Sequence, residues 1–566
     1  MSSVPHDQQN RSSGFTNAPQ ARQRTTDVIV RAPPAAILSF HRKPGTLLSI
    51  PRSPSRPIQR RLAAGRRMFR SSSHTLLAHD NPFPAVSDIR RQRTALAVCR
   101  NQRHAATLIR NTGEEPVNSP RQTSPSRALL LIALLSASIS LARLSPPALG
   151  AVLDPRTIQS ETLHNGLRLV VANDPDAHVV AAEVVVKVGA ADDPPGQKGI
   201  AHLLEHILWA GPPDADNDPR MRIERIGGVI DAGTLRDYTR FYATVPAGNL
   251  DLLIGALGDT VLQDDFGEDI VSRERQIVFE ESAGRAEDPR RVLNDLAFAE
   301  IYTPAHPYSS PIDGAPDDLE RLDAARLAFF HQTWYVPNNM AVIVSGDAPF
   351  DAVRDLVAQT FGELRPAALP PRSMPISSRT TQTRLRTLDV PIEKAYVMAA
   401  FIGPKAAEHT SVCASDVLAT MLTHAPTGRL AFELEEKESL ALDVGIDFLT
   451  QRESALFGLW AVCEPENTDA VRETIHRELV RFAREPVPPA ELAVAKRLLT
   501  AGYAFANETP SDRAATLGFY EAIDSYRAAS YYLSWVSAVR ADTIAEAAAW
   551  YAGEPVWIIL RPEARQ

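Results

Sequence analysis

A break in composition near residue 150 decides first what this chain can fold into. Residues 1–127 are rich in Arg, Ser and Pro and show no sustained apolar period. They hold 21 Lys+Arg against 6 Asp+Glu, a charge of +15. Such a segment buries too little apolar surface to offset its chain entropy and reads as a disordered basic extension. Residues 151–566 carry −24, so the part that folds is acidic. It lacks the basic footprint that nucleic-acid binding needs, and nucleic acid is not expected as a partner. Three cysteines, Cys99, Cys413 and Cys463, are too few and too scattered for a disulfide framework or a thiolate metal site.

Between the two parts lies residues 128–150. Fifteen uncharged, mostly apolar residues stand between Arg127 and Arg143. That is short of the ~20 that span a bilayer and fits the ~7–15 of a signal-peptide apolar region. Ala148-Leu149-Gly150 supplies small residues for cleavage near Gly150. The segment reads as signal-peptide-like, a start assigned too far upstream explaining its internal position. The expected compartment is the bacterial periplasm, and the mature chain is expected to have no stable membrane span. The Arg- and Ser-rich front makes a mitochondrial matrix address the alternative.

From about residue 155 the chain is patterned. Leu163-His-Asn-Gly-Leu167 places an Asn-Gly turn between apolar stretches, a hairpin signal. Residues 179–188 and 340–345 read as strands, 249–261 and 271–281 as helices. A second mixed pass follows, with strands at 395–401 and 555–560 and helices at 412–422 and 490–503. A Pro/Ser/Thr-rich stretch at 367–383 reads as a linker. The expected organisation is therefore α+β, with one domain over 151–366 and a second of similar length over 384–566, which suggests duplication.

The first domain contains Gly199-Ile-Ala-His-Leu-Leu-Glu-His-Ile-Leu-Trp-Ala-Gly211. On a helix, i and i+4 share a face, as do i and i+3. His202 and His206 are i,i+4, and Glu205 is i+3 from His202, so three polar groups converge while the leucines face a core. Two imidazoles at this spacing suit one Zn²⁺, and a glutamate beside them can take a proton from metal-bound water. The order His-x-x-Glu-His is that of the inverzincins. A third ligand is needed. Glu274-Arg-Gln-Ile-Val-Phe-Glu-Glu281 offers Glu274 and Glu281, seven apart and on one helical face. Glu280 points about 100° away from Glu281, and spacing alone does not decide between them.

These motifs together resemble the pitrilysin/insulinase-like zinc peptidases, which include the mitochondrial processing peptidases. The family pattern Gly-x-x-His-x-x-Glu-His matches Gly199, His202, Glu205 and His206. A glutamate about 75 residues further on, within Glu-Arg-x-x-Val-x-x-Glu, falls on Glu281 and so selects it over Glu280. The resemblance makes His202, His206 and Glu281 the ligands of one Zn²⁺ per chain and Glu205 the general base. It makes Glu274 an outer carboxylate that orients a ligand. Gly227-Gly228-Val-Ile-Asp231-Ala232-Gly-Thr234-Leu-Arg-Asp237-Tyr-Thr239 is similar to the family's substrate-pairing edge strand, with Asp231 where Asn is usual. His306-Pro307-Tyr308 and Trp334-Tyr335-Val-Pro337-Asn-Asn339-Met340 also match family landmarks.

Chains of this length resemble the family's short branch. That implies two homologous α/β-roll domains, each an antiparallel-rich sheet with helices packed on it, and zinc in the first. It also implies two chains closing a chamber around peptide or unfolded polypeptide. In such a pair the facing chain supplies an arginine and a tyrosine separated by six residues. Arg513 and Tyr520 fit that spacing. Having both features in one chain implies a homodimer, a heterodimer being the alternative. The resulting expectation is a zinc metalloendopeptidase. The rival is a catalytically silent or structural partner subunit of a related peptidase or respiratory complex.

Overall fold

The computed structural model describes residues 153–211, 218–372, 375 and 384–563. The basic extension, the apolar segment 128–150 and most of the stretch 367–383 lie outside the described residues.

The first half builds one mixed sheet from β1 (Ile158–Thr162), β2 (Arg168–Asn173), β3 (Val179–Val186), β4 (Val229–Thr234), β5 (Thr239–Pro246) and β6 (Met340–Gly346). Their order is β1-β2-β6-β3-β5-β4. The β1–β2 hairpin turns at Asn165-Gly166, where Gly166 has φ of +89° and its N–H reaches Leu163 O at 2.9 Å. β2 runs parallel to β6, and β3 is antiparallel to both β6 and β5. Period-two alternation sorts β3. Val180, Ala182, Val184 and Val186 face one core, while Ala181 and Val185 face another.

Helices cover the first of these faces: α1 (Ile200–Ala210), α2 (Pro219–Arg225), α3 (Leu250–Val261), α4 (Glu268–Arg285), α5 (Pro289–Ile301), α6 (Ala324–Trp334) and α7 (Phe350–Phe361). α5 is the exception and lies elsewhere.

The second half repeats the plan. Its strands are β7 (Arg384–Val390), β8 (Ala395–Ile402), β9 (Ala441–Asp447), β10 (Leu456–Cys463) and β11 (Val556–Pro562), in the order β7-β11-β8-β10-β9. β7 runs parallel to β11, and β8 is antiparallel to β11 and β10. Strand for strand this is β2-β6-β3-β5-β4 in order and sense. Its helices are α8 (His409–Thr423), α9 (Thr468–Arg484), α10 (Pro489–Phe505), α11 (Pro510–Ile523), α12 (Arg527–Ala538) and α13 (Ala541–Tyr551). α8 occupies the topological place of α1.

Each half lends a helix to the other. α5 sets Leu293, Ala297 and Ile301 against Met398, Ala400, Ile558 and Leu560 of the second sheet. α11 lies on β3 and β6, with Leu517 and Phe519 in the same core as Ala181, Val185, Ala341 and Ile343. No helix among the described residues is long and apolar enough to cross a membrane.

Candidate metal centre

α1 is apolar nearly all round. Leu203, Leu204, Ile207 and Leu208 are buried in the first-half core, and His202 and Glu205 are buried with them. The helix starts where Asp193 aims its carboxylate at it, accepting from Gly199 N–H at 2.7 Å and Ala201 N–H at 3.1 Å. That satisfies two of the N–H groups a helix start leaves open. Asp193 stands six residues before the cap, outside the usual cap window, and is not legible as a cap from the sequence.

α4 crosses α1 and presents Glu274, Val278 and Glu281 on one face. Glu281 Oε2 lies 3.2 Å from His206 Nε2 and 3.9 Å from His202 Nε2. Glu280 is exposed and accepts from Gln276 Nε2, so the carboxylate left open by spacing is resolved by the direction of the helix face. The two imidazoles meet edge-on with centroids 4.7 Å apart. One ligand atom from each of His202, His206 and Glu281 lies within 4.8 Å of the others.

A tetrahedral zinc with ligands at ~2.0–2.1 Å sets its ligand atoms about 3.3–3.4 Å apart. The observed 3.2 and 3.9 Å bracket that spacing, and the His₂Glu donor set suits Zn²⁺. Behind the ligands, Glu274 Oε2 stands 3.8 Å from His206 Nδ1, the place of a ligand-orienting carboxylate.

Four titratable groups in this small volume are driven apart. Burial, then the neighbouring His206, pulls His202 down to about 3. Burial opposes the charged form of His206, but hydrogen bonds to Glu274 and Glu281 outweigh it and raise the ring to about 10. Glu281 is likewise resisted by burial yet held at about 2 by His206, His202 and Arg285. Burial lifts Glu205 to about 7, with Glu281 and Asp231 adding to the rise and His206 opposing it. Glu205 Oε2 also receives a long contact from Thr234 Oγ1 at 3.5 Å.

β4 ends its sheet, so one of its edges is unpaired among the described residues. Gly228 leads into it. A Cβ there would lie 2.8 Å from Ile223 Cγ2 and 2.9 Å from Thr244 O. Asp231 is already engaged, accepting from Tyr242 Oη at 2.8 Å and from Ala232 N–H at 2.9 Å. Its carboxylate is therefore committed to the strand's own structure. Ala232 and Thr234 are half-buried along the same strand.

The structure places Arg513 and Tyr520 within a single chain. Both lie on α11, which packs on the chain's own first sheet. Tyr520 is fully buried there. Arg513 Nη1 bonds Asp174 Oδ2 at 2.9 Å within the same chain. The spacing placed both residues on one helix, but which side of that helix meets solvent depends on a packing partner that is distant in sequence.

Two further groups, Arg285 and Asp313, carry weight that the motifs did not reveal, and Asp237 of the edge-strand motif gains a structural role. Arg285 bridges Glu281 and Asp313, and Asp313 Oδ1 lies 4.0 Å from His202 Nδ1. Asp237 accepts from Tyr308 Oη at 2.6 Å and from Arg452 N–H at 2.9 Å, tying the site's strand to the second half.

Comparison with known proteins agrees with this geometry. The family described as Insulinase (Peptidase family M16) matches residues 168–311, and the one described as Peptidase M16 inactive domain matches residues 321–499. An uncharacterized zinc protease of Mycobacterium bovis is 30% identical over 384 residues, 66% of this chain and 85% of its own. The zinc protease PqqE of Helicobacter pylori is 28% identical over 368 residues, 64% of this chain and 83% of its own. The crystal structure of a protease from Helicobacter pylori superposes with a TM-score of 0.66 at 25% identity, covering 72% of this chain and 99% of that one.

Proposed function

The chain belongs to the insulinase family of peptidases, M16, and from that membership we propose that it is a zinc-dependent endopeptidase cleaving peptides or unfolded protein segments. One observation carries the reading: His202, His206 and Glu281 converge on a single point beside a buried Glu205. His202, His206 and Glu281 would hold a zinc ion, which would supply Lewis acidity toward a peptide carbonyl and lower the pKa of water. Glu205 accepts the proton of the attacking water and returns it to the leaving amine. Burial raises the Glu205 carboxyl, whereas a bound cation would favour its ionised, proton-accepting form. Thr234, in contact with Glu205 Oε2, limits the carboxylate's rotation. Substrate lies extended along the free edge of β4, adding a strand through backbone hydrogen bonds.

Against the silent-subunit reading stands the presence of His202, His206, Glu281 and Glu205 together at the site. The inactive-domain match covers residues 321–499, outside every one of them. A chamber closed by two chains rests on the family resemblance alone, since Arg513 and Tyr520 are engaged inside their own chain. The mass of the protein in solution measures whether two copies pair. Export rests on residues 128–150 alone.

The reading is tested with Glu205→Gln. The variant is expected to bind one zinc per chain as the wild type does and to lose about 10²–10⁴-fold in peptide cleavage. Unchanged cleavage by the zinc-loaded variant would exclude Glu205 as the base.

A further inference from the structure

The two candidate ligand histidines are treated alike from behind. His206 Nδ1 faces Glu274 Oε2 at 3.8 Å, and His202 Nδ1 faces Asp313 Oδ1 at 4.0 Å. His202 is almost wholly buried, and its Nδ1 has no hydrogen-bond partner, an arrangement that is costly if left unanswered. Asp313 is the carboxylate within reach of that atom.

The loop carrying Asp313 is pressed against the start of α1 by two glycines in left-handed conformation, Gly199 at φ +94° and Gly314 at φ +82°. A Cβ on Gly314 would lie 2.3 Å from Lys198 O, and one on Gly199 would lie 2.8 Å from Asp313 O. This close backbone approach sets the aspartate beside His202. Arg285, which also holds Glu281, bonds Asp313 Oδ1, and Arg291 Nη2 lies 3.7 Å from the same oxygen.

We propose that Asp313 is a positioning residue of the metal centre, accepting the Nδ1–H of His202 so that the ring offers Nε2 to zinc, with Arg285 tying this carboxylate to the ligand Glu281. The inference rests on the zinc reading above and deepens it. A ring so held has one tautomer and one orientation. Arg285 occupies Glu281 Oε1 and leaves Oε2 as the ligating oxygen. Losing such an outer partner commonly weakens metal binding 10–100-fold.

The test uses the full chain with Asp313→Ala and Asp313→Asn, reading zinc affinity by competition with a chromophoric chelator and folding by thermal unfolding of the metal-free proteins. Alanine is expected to weaken zinc 10–100-fold. Asparagine, whose Oδ1 still accepts from Nδ1–H but which loses the ion pair with Arg285, is expected to recover most of that loss. Alanine affinity within about twofold of wild type would overturn the proposal. So would asparagine as weak as alanine, because the ion pair alone would then be the working contact. Zinc-loaded wild-type crystals decide the matter without a variant. Asp313 within hydrogen-bond distance of His202 Nδ1 is expected, and an Nδ1 bonded to any other group overturns the proposal. Wild type that takes up no zinc defeats the underlying reading, which is distinct from wild type and Asp313→Ala binding it equally.

Discussion

At the scale of single residues, the chain keeps buried carboxyls that the site does not use, Glu183 among them. Glu183 on β3 lies under α11, so close that a Cβ on Gly518 would be 2.9 Å from its carboxyl carbon. Arg240 Nη1 is 3.9 Å from its Oε2, and its Oε1 has no hydrogen-bond partner. Burial outweighs the arginine and lifts Glu183 from 4.5 to about 7. A carboxyl raised on folding adds stability that is fully present below its unfolded value of 4.5 and is lost as pH rises through about 7. The shift corresponds to about 3 kcal/mol. Glu183→Gln, nearly the same shape and unable to ionise, removes that dependence. Denaturant unfolding of both proteins from pH 4.5 to 8 is expected to show wild type losing up to about 3 kcal/mol relative to the variant. Parallel profiles would mean that Glu183 does not titrate in this range.

At the scale of elements, the placement of α1 turns on how its first turn is made. Gly199 adopts φ +94°, and its N–H is held by Asp193. Gly199→Ala strains the backbone and drives a methyl group toward Asp313 O and Leu319 Cδ2, both 2.8 Å from the ideal Cβ. The expected cost is about 1–3 kcal/mol in the stability of the metal-free protein, with zinc affinity falling as α1 tilts. A variant as stable and as tight for zinc as wild type would show that the turn does not fix the helix. Much of this element was legible beforehand. The i, i+3, i+4 pattern put His202, Glu205 and His206 on one face, and the Asn-Gly pair announced the β1–β2 turn. Asp193 and Asp313 were not legible, because each acts on α1 from a loop; Arg285 lies four residues after Glu281 on the same face of α4, but its second contact, to Asp313, was not legible. Nothing in local periodicity records such an approach.

At the scale of the whole molecule, the same limit explains why the packing of α11 is not legible in the sequence while the repeated order of elements is. Repetition shows in the order of strands and helices along the chain. The exchange of helices between halves does not, because a helix is amphipathic whichever sheet it covers. Yet that exchange governs stability. Without α11, the first sheet exposes Ala181, Val185, Ala341 and Ile343, all buried in the full chain. Without α5, the second sheet exposes Met398, Ala400, Ile558 and Leu560. Uncovered sheet faces of this kind favour association with other chains. Residues 153–366 produced alone retain every candidate metal ligand but not α11. They are expected to bind an apolar dye strongly and to self-associate. Co-expression with 384–566 is expected to suppress both by restoring the reciprocal cover. A first half that stays monomeric and dye-silent by itself would show that the exchanged helices only join two self-sufficient units, and that the zinc-binding half needs no cover from its repeat.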